Sequence, residues 1–315
     1  MGEVMLTVIS TTYGHENYIR KALDSILMQR INFNMEVLIG EDCSPDGSRI
    51  ILKEYEVNYP NFFKIIYRDK NIGAVNNYID LGKRAKGKYI AFLELDDYWT
   101  DCNKLQRQFD FLEANNDVVA VAARTTVVDK TGKSINEPYP ECTNCYYEWK
   151  HYINGLLPGQ TASIMCRNFY NKGDALSDAL LMDTCLVPGD RVNAFLYLCY
   201  GKIYCMPEVM SAYRLVRESG TSYTAMVKDY SDTDIYELYC CLYKRLLKYA
   251  YKYCEKDAIL YSEKIYVLSR CREKKVKNEN WLHYLLFDLD IRNKTRIRLF
   301  IIFRTLRKRF KSIIC

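Results

Sequence analysis

Three carboxylates follow a run of apolar residues in the stretch "YIAFLELDDYW", Tyr89 to Trp99. Glu94, Asp96 and Asp97 fall within four positions, so their negative charges repel one another. Such a cluster is stabilised by sharing a proton or by binding a cation. Oxygen ligands favour a hard ion such as Mg²⁺ or Mn²⁺, which often bridges to substrate phosphates. The stretch therefore predicts a metal site, with helix capping as the alternative for one of the three acids.

Short strand-like runs alternate with amphipathic helical patterns through the first 125 residues. This order is typical of βαβ units and predicts a doubly wound α/β domain around a mostly parallel sheet. The strand candidates are MLTVIS, EVLIGE, FKIIYR, KYIAFLEL and VVAVAAR. Apolar residues at helical spacing predict helices in the first two connections, and a third from Val75 to Ala85 that ends at Gly87.

The residues just after each strand are the candidates for chemistry, because ligands of an open parallel sheet bind outside the carboxyl ends of its strands. Thr11, Thr12 and Tyr13 follow the first strand, Asp42 follows the second, and the three acids follow the fourth. We expect these side chains to converge on one edge of the sheet. The segment STTYGHENY is neither a GxGxxG nor a Walker motif, which disfavours a dinucleotide-binding fold and a P-loop enzyme.

The second half of the chain has weaker patterns. The segment from Lys130 to Tyr152 is polar and rich in turn formers, and it predicts a connecting loop. Shorter elements are expected from Leu156 to Tyr223, including a helix in DRVNAFLYLCYG and a strand in KIYCMPE. Helical patterns return over Asp232 to Lys275 and over the basic segment Trp281 to Cys315.

Composition limits the class of protein. A chain of 315 residues with 49% hydrophobic and 27% charged residues can bury the core of a globular protein. Its thirteen cysteines are odd in number and scattered through apolar segments, which favours a reducing cytosol over a disulfide framework. Cys142 and Cys145 form a single CxxC, which we interpret as a coincidence because a zinc site needs four ligands. No signal peptide and no apolar run of about 20 residues is visible, so we expect a cytoplasmic protein.

Three N-terminal segments resemble the corresponding blocks of family 2 glycosyltransferases with the GT-A fold. They are VISTTYGHENYIRKALDSILMQ, EVLIGEDCSPDGS and NIGAVNNYIDLGKRAKGKYIAFLELDD, and a fourth, PGDRVNAFLYLCYGKIYCMPEVMSAYRL, is similar to the acceptor-side segment of that family. The resemblance covers roughly Met5 to Ser222. It implies a Rossmann-like GT-A domain over 1–225, made of a nucleotide-binding half, 1–125, and an acceptor-side half, 126–225. Residues 226–315 would form a C-terminal helical extension.

The resemblance implies how the nucleotide is bound. Thr11 and Tyr13 match positions that line the base, with the tyrosine ring against its face. Asp42 matches a residue that accepts a hydrogen bond from the base edge, which favours uracil or thymine. The alternative role for Asp42 is to form the turn ahead of CSPDGS.

The resemblance also implies roles in the reaction. Asp96 matches the metal ligand of a DxD motif. Glu94 stands at the first acid of that motif, where its longer side chain would bind the nucleotide-sugar through the ribose or a metal-bound water. Asp97 either assists in binding the nucleotide-sugar or begins the next turn. Asp190 matches the catalytic base, which must take a proton from the attacking hydroxyl. Capping of the helix that follows is the alternative for Asp190.

Two positions depart from the family pattern. Glu94 stands where the family usually has Asp, and Val216 where many relatives have His. Arg214 or Arg217 could supply compensating charge. These departures keep open an alternative function, a non-catalytic nucleotide-sugar-binding or assembly protein on a degenerate GT-A scaffold.

The function implied by the resemblance is a metal-dependent, inverting glycosyltransferase of the hexosyl- or N-acetylhexosaminyltransferase class. It would use Mn²⁺ or Mg²⁺ and a nucleotide-sugar, with a UDP-sugar expected, and a glycan or lipid-linked glycan as acceptor in surface polysaccharide synthesis. A nucleotidyltransferase is a weaker alternative, because it would need a glycine-rich basic loop after the first strand.

The C-terminal segment has the pattern of a helix that lies in a membrane interface. Apolar residues share one helical face and basic residues the opposite face: Leu299, Ile302, Phe303, Leu306, Phe310 and Ile313 against Arg304, Arg307, Lys308 and Lys311. We expect 292–315 to bind an anionic membrane from its inner side. The alternative is a helix packed on the catalytic domain. Nucleic acid is not an expected partner, because nothing in the sequence resembles a groove-reading module.

Overall fold

The computed structural model describes residues 2–170, 189–216 and 227–314, with side chains described up to Leu306. The chain forms two compact units, one containing the described residues up to Val216 and the other those from Val227 onward. That residues 1–225 form the catalytic domain and residues 226–315 an extension of it stays a prediction.

Nine strands in the described part of the first unit form one sheet. Their bounds are β1 Leu6–Thr12, β2 Met35–Glu41, β3 Phe63–Tyr67, β4 Tyr89–Phe92, β5 Tyr98–Trp99, β6 Val118–Val128, β7 Cys145–Tyr147, β8 Ile164–Arg167 and β9 Lys202–Arg214. The order across the sheet is β3-β2-β1-β4-β8-β6-β9-β5, and β7 pairs with β9. Strands β1 to β4 are mutually parallel, as are β6 and β9, while each antiparallel pairing involves β5, β7 or β8. The expected α/β class with a mostly parallel central sheet is confirmed.

Helices fill the connections of the first unit. Their bounds are α1 Ile19–Leu27, α2 Ser48–Asn58, α3 Ala74–Arg84, α4 Lys104–Ala114, α5 Trp149–Ile153 and α6 Gly189–Tyr200, and Thr161–Ser163 forms a short 3₁₀ turn. The helices predicted in the first three connections are therefore found. Ile19, Leu23 and Ile26 of α1 are fully buried, as expected for one apolar stripe at helical spacing.

The extent predicted for the third helix agrees with α3 to within one residue, but the role predicted for Gly87 at its end is wrong. Helix α3 ends at Arg84, and Ala85 already has an extended backbone. Gly87 lies instead against β1, where a Cβ would come within 2.4 Å of the backbone nitrogen of Thr7. The glycine is therefore required by the close approach of two backbones rather than by helix termination.

The predicted loop from Lys130 to Tyr152 is wrong in its second part. Strand β7 forms there and pairs antiparallel with β9, and α5 begins at Trp149. A strand of three residues is too short for alternation to reveal. It exists because β9 offers a pairing edge, which is a long-range property of the fold.

The second unit is helical, with bounds α7 Asp232–Tyr253, α8 Lys256–Val276, α9 Trp281–Leu286 and α10 Lys294–Ile314. The helical pattern predicted over Asp232 to Lys275 is thus two helices. Ile297 and Ile301 of α10 are buried in a core that also contains Val267 and Leu285. None of the described helices combines the length and the hydropathy needed to cross a membrane.

Candidate functional site

The ends of β1 and β2 and the segment after β4 adjoin one another, as predicted. The backbone nitrogen of Asp42 donates to the carbonyl of Thr12 at 3.0 Å, and that of Leu95 donates to the carbonyl of Thr11 at 3.2 Å. The side chains of Thr11 and Tyr13 are half-buried at this edge. Residues expected to bind the nucleotide base and residues of the acid cluster therefore lie at one edge of the sheet.

Asp42 fixes the turn that leads into α3. Its carboxylate is buried and accepts hydrogen bonds from the backbone nitrogens of Ile72 at 2.8 Å and Gly73 at 3.0 Å. Gly73 has a φ of +83°, a conformation that favours glycine. A carboxylate oxygen can accept two hydrogen bonds, and each oxygen of Asp42 accepts one from these backbone nitrogens. Capacity therefore remains for a contact with a base edge.

Glu94, Asp96 and Asp97 form a compact cluster in which one carboxylate oxygen of each residue lies within 4.8 Å of the others. Asp97 is buried, whereas the side chain of Asp96 is 25% exposed and Glu94 is partly exposed. Mg²⁺ binds oxygen at about 2.0–2.1 Å in octahedral geometry and usually keeps several waters. Small side-chain adjustments would bring these oxygens around one such ion, so the donor set fits a hard divalent cation.

Burial and mutual repulsion shift the proton affinities of the cluster. Burial raises the pKa of Glu94 to about 8, with further contributions from the charges of Asp96 and Asp190. Burial, together with Asp96 and Glu94, also raises the pKa of Asp97 well above its usual range, although Arg214 opposes this shift. A bound divalent cation would reverse these shifts, because its charge favours the ionised carboxylates.

The two neighbouring aspartates have different surroundings. Both oxygens of Asp97 accept hydrogen bonds, from Gln160 Nε2 at 2.8 Å and from the backbone nitrogen of Arg214 at 2.7 Å. Arg214 also donates through Nε to the carbonyl of Asp96 at 2.9 Å. Asp97 therefore ties the cluster to the end of β9, and Arg214 places its charge beside it. Arg217 lies outside the described residues.

Asp190 lies in the first turn of α6, and its carboxylate contacts two hydroxyl groups from other parts of the chain. Tyr139 Oη donates to Oδ2 at 2.6 Å, and Thr161 Oγ1 donates to Oδ1. Burial raises the pKa of Asp190, and the two hydroxyl donors oppose that shift. Asp190 lies close enough to the acid cluster for its charge to raise the pKa of Glu94. The hydrogen bonds described for the Asp190 carboxylate come from residues outside its own helix. This favours a role in the site over capping of that helix.

Residues 160–163 connect Asp190 with the acid cluster. Gln160 bonds Asp97 and Thr161 bonds Asp190, so one turn holds both carboxylates. We did not single out this segment or Tyr139 from the sequence. The only sequence signal is a row of polar residues in "PGQTAS", which is common in ordinary turns.

Buried polar side chains donate hydrogen bonds to the backbone of this turn. Trp99 Nε1 donates to the carbonyl of Ala162 at 2.8 Å, and Gln108 Nε2 donates to that of Ser163 at 2.7 Å. Lys104 is fully buried, donates to Gln108 Oε1 at 2.7 Å and lies 4.7 Å from the centre of the Trp99 ring. Burial lowers the pKa of Lys104 to about 7.

His15 is a second residue that the sequence did not single out. Its Nε2 lies 3.9 Å from Asp96 Oδ2, beyond direct hydrogen-bond distance but within reach through a small movement. Its Nδ1 is buried and has no hydrogen-bond partner among the described residues. His15 comes two positions after Tyr13, so its place after β1 is the signal that could have identified it.

Comparison with known proteins gives a family match. The family model described as "Glycosyl transferase family 2" matches residues 7–168, just over half of the chain. The uncharacterized protein Rv1520 of Mycobacterium tuberculosis is 32% identical over 214 residues, covering 66% of this chain and 58% of the relative. The minor teichoic acid biosynthesis protein GgaB of Bacillus subtilis is 30% identical over 221 residues, covering 69% of this chain and 23% of GgaB. The chain therefore spans little more than half of Rv1520 and a quarter or less of GgaB.

Two solved structures resemble the fold. S. aureus TarS 1-349 in complex with UDP-GlcNAc aligns with a TM-score of 0.62 at 17% identity, covering 90% of this chain and 76% of TarS 1-349. The mannosyltransferase PcManGT from Pyrobaculum calidifontis, in complex with GDP-Man and Mn²⁺, aligns with a TM-score of 0.56 at 14% identity, covering 99% of this chain and 83% of PcManGT. At these identities the similarity shows the fold alone.

Proposed function

The chain belongs to glycosyl transferase family 2, and we propose that it transfers a sugar from a nucleotide-sugar to a hydroxyl group of a glycan or lipid-linked glycan. The observation that carries this proposal is the turn at residues 160–163, which hydrogen-bonds both Asp97 of the acid cluster and Asp190, the candidate base. The UDP-GlcNAc bound to TarS supports a UDP-sugar as donor. The role of GgaB in minor teichoic acid biosynthesis supports a cell-surface polysaccharide as product.

Asp96, with Glu94 and Asp97, would hold a Mn²⁺ or Mg²⁺ ion. When bound, that ion supplies positive charge that offsets the negative charge developing on the departing diphosphate. The Mn²⁺ in the PcManGT complex supports this assignment. Asp97 is held by Gln160 and Arg214 and so fixes the segment on which Asp96 stands.

Thr11, Tyr13 and Asp42 would bind the nucleotide base. Their places at the ends of β1 and β2 support this role, because Asp42 lies beside Thr12 and Tyr13 is partly open. The carboxylate of Asp42 would accept the ring NH of uracil, while the backbone nitrogens of Ile72 and Gly73 hold it in place.

Asp190 would accept the proton of the attacking hydroxyl. Proton transfer to a positioned carboxylate typically contributes about 10²- to 10⁴-fold to a rate. Tyr139 and Thr161 would hold that carboxylate in one orientation, and its raised pKa would make it a better proton acceptor. A single displacement assisted by Asp190 implies inversion at the anomeric carbon.

His15 would orient Asp96 and could compensate for the family His that is absent at Val216. Its Nε2 is the ring nitrogen near Asp96, and the turn that carries it is held by a hydrogen bond from its backbone nitrogen to Ser48 Oγ at 3.0 Å. A small shift of either side chain would give a hydrogen bond that fixes the carboxylate for metal binding.

Release of UDP tests the catalytic proposal against a scaffold that only binds nucleotide-sugars. The full chain is incubated with a panel of UDP-sugars and Mn²⁺, with the Asp190→Asn variant as matched control. We expect slow donor hydrolysis with release of UDP for at least one sugar, and less in the variant. Binding of a UDP-sugar without any release, or equal release by both proteins, would favour the non-catalytic alternative.

We also propose that α10 contacts the cytoplasmic face of an anionic membrane. Leu299, Ile302, Phe303 and Leu306 are exposed, with 67% of Phe303 accessible, so most of the predicted apolar face is open. Arg304 is half-buried, which reduces the basic face, and the side chains of residues 307–315 lie outside the described part. Deleting the helix would remove Ile297 and Ile301 from the core of the second unit, so point substitutions are the better test.

The full chain with Leu299, Phe303 and Leu306 changed to Ser should float less with anionic liposomes than the unchanged chain. A matched control carries Ile50→Ser and Val57→Ser, which are exposed apolar residues of α2. Equal flotation of all three proteins would contradict a role for this surface.

A further inference from the structure

Three potential metal ligands come together in the acceptor-side half, away from the acid cluster. One ligand atom each of Cys142, Cys145 and His151 lies within 4.8 Å of the other two. Thiolate and imidazole groups are the ligands that zinc prefers, and in a tetrahedral site with Zn–S bonds of about 2.3 Å two sulfur atoms lie about 3.8 Å apart. The observed spacing is close to what such a site requires.

Cys205 is the candidate for a fourth ligand, beside the three but not within 4.8 Å of all of them, and the sequence did not connect it with this motif. It lies in β9 directly opposite Cys145 in the antiparallel pairing of β7 with β9. Side chains at directly opposed positions lie on the same face of a sheet, with Cβ atoms about 4.5–5.5 Å apart. The thiol of Cys205 interacts with those of Cys142 and Cys145, so the three sulfur atoms are neighbours.

His151 is held at the start of α5. Its Nδ1 accepts a hydrogen bond from the backbone nitrogen of Glu148 at 3.0 Å, as part of a capping box. Coordination through Nδ1 would replace the capping bond. Coordination through Nε2 would move the ring proton to Nδ1. Either change costs about one hydrogen bond, which is small beside the free energy of binding a structural zinc ion.

We propose that Cys142, Cys145, His151 and Cys205 bind a structural zinc ion. The set matches the Cys₃His class, with a CxxC pair that ends at the first residue of β7, a histidine in α5 and a cysteine in β9. Binding would release the thiol protons of the three cysteines as the sulfurs become thiolates. This proposal replaces the interpretation of the CxxC as a coincidence, which was based on two ligands alone.

The position of the site gives the zinc a structural role. It would join β7 and the loop before it to β9 and to the start of α5. The same loop carries Tyr139, which donates to Asp190, and α5 carries Tyr152, whose carbonyl accepts a hydrogen bond from Arg191 Nη2 at 2.8 Å. Zinc would thus fix the parts of the chain that position Asp190 and the start of α6.

The amount of bound zinc tests this proposal independently of sugar transfer. The full chain is purified under reducing conditions, loaded with zinc and analysed by mass spectrometry for bound metal. We expect one zinc ion per chain, lost in Cys145→Ser and in Cys205→Ser. Cys102→Ser is the half-buried control for Cys145→Ser, and Cys166→Ser is the buried control for Cys205→Ser. Both controls should keep the zinc ion, as should Asp96→Asn. A chelator should lower the melting temperature of the unchanged chain and leave that of Cys145→Ser nearly unchanged.

Cobalt provides the second readout. In the Co²⁺-loaded chain, thiolate charge-transfer bands and the strong visible bands of tetrahedral cobalt are expected, and they should disappear in Cys205→Ser. If Cys205→Ser fails to fold, His151→Asn replaces it, because Asn can keep the capping bond while removing the imidazole. No zinc after loading, zinc retained in Cys145→Ser, or a Cys142–Cys145 or Cys145–Cys205 disulfide in the reduced preparation would overturn the proposal.

Discussion

The first unit has a parallel half, up to residue 125, and a mixed half, the described residues from 126 to 216, and the two position their polar side chains in different ways. In the parallel half, Tyr13, Asp42 and Asp96 each follow a strand or its continuation, and the sheet brings them together. In the mixed half, Asp190 stands on a helix and is oriented by Tyr139 from a loop and Thr161 from a 3₁₀ turn. The first arrangement follows from strand order, and the second depends on contacts between segments far apart in sequence.

The largest effect is expected for the candidate base of the mixed half. Asp190→Asn should lower the rate of sugar transfer by about 10²- to 10⁴-fold, because it removes the proton acceptor. The variant should still bind UDP with Mn²⁺, since the parallel half is unchanged. Transfer kinetics and calorimetric titration with UDP check this. Transfer at the rate of the unchanged chain would exclude Asp190 as the base, and loss of folding would instead favour the capping role.

Asp97→Asn separates structural from metal-binding roles in the acid cluster. Both oxygens of Asp97 accept hydrogen bonds, so the amide would leave one buried donor without an acceptor. The free energy of unfolding should fall by about 1–3 kcal/mol. Asp96→Asn should lower it little, because Asp96 is partly exposed and its loss relieves repulsion. Denaturant titration of both variants measures the difference, and equal stability would contradict a structural role for Asp97.

Tyr139→Phe tests whether contacts from the loop orient Asp190. Loss of a hydrogen bond to a charged group costs about 1.5–3 kcal/mol, so transfer should slow by roughly tenfold or more while UDP affinity stays unchanged. The pH at which the rate begins to fall on the acid side should rise, because Tyr139 lowers the pKa of Asp190. Tyr146→Phe, on the neighbouring strand, is the control. An unchanged pH profile in Tyr139→Phe would show that the contact has no catalytic consequence.

Lys104→Met probes the buried network beneath residues 160–163. The folded pKa of Lys104 is lowered to about 7, so between pH 7 and about 10 the unfolded chain binds more protons at this residue than the folded chain. Stability of the unchanged chain should therefore rise with pH across that window, by up to about 1.4 kcal/mol per pH unit from this residue. In Lys104→Met this contribution should vanish. Chemical unfolding at a series of pH values measures it, and equal slopes for the two proteins would contradict the assignment.

Much of the parallel half could be predicted from the sequence. Strands β1, β2, β3, β4 and β6 were predicted because apolar runs bounded by polar residues are typical of buried parallel strands. The acids after β4 were predicted to meet Asp42 and Tyr13 because all of them follow the carboxyl ends of parallel strands. Gly87 was assigned the wrong role, because a close contact between backbones has the same sequence signal as a helix end.

The mixed half could be predicted only in part. The sequence singled out Asp190 through a family resemblance, but it did not indicate that Tyr139 and Thr161 contact its carboxylate. Strand β7 was missed because three residues are too few to show a period. Cys205 lies 60 positions after Cys145, and only the pairing of β7 with β9 brings the two together. Such contacts depend on the fold and have no local pattern.

The central claim is that the acid cluster holds a divalent cation through which a nucleoside diphosphate binds. Calorimetric titration of UDP into the full chain, with and without Mn²⁺, tests it most directly when repeated with Asp96→Asn. We expect binding that requires Mn²⁺ in the unchanged chain and is lost in Asp96→Asn. Equally tight binding of UDP without metal, or unchanged Mn²⁺-dependent binding in Asp96→Asn, would contradict the claim.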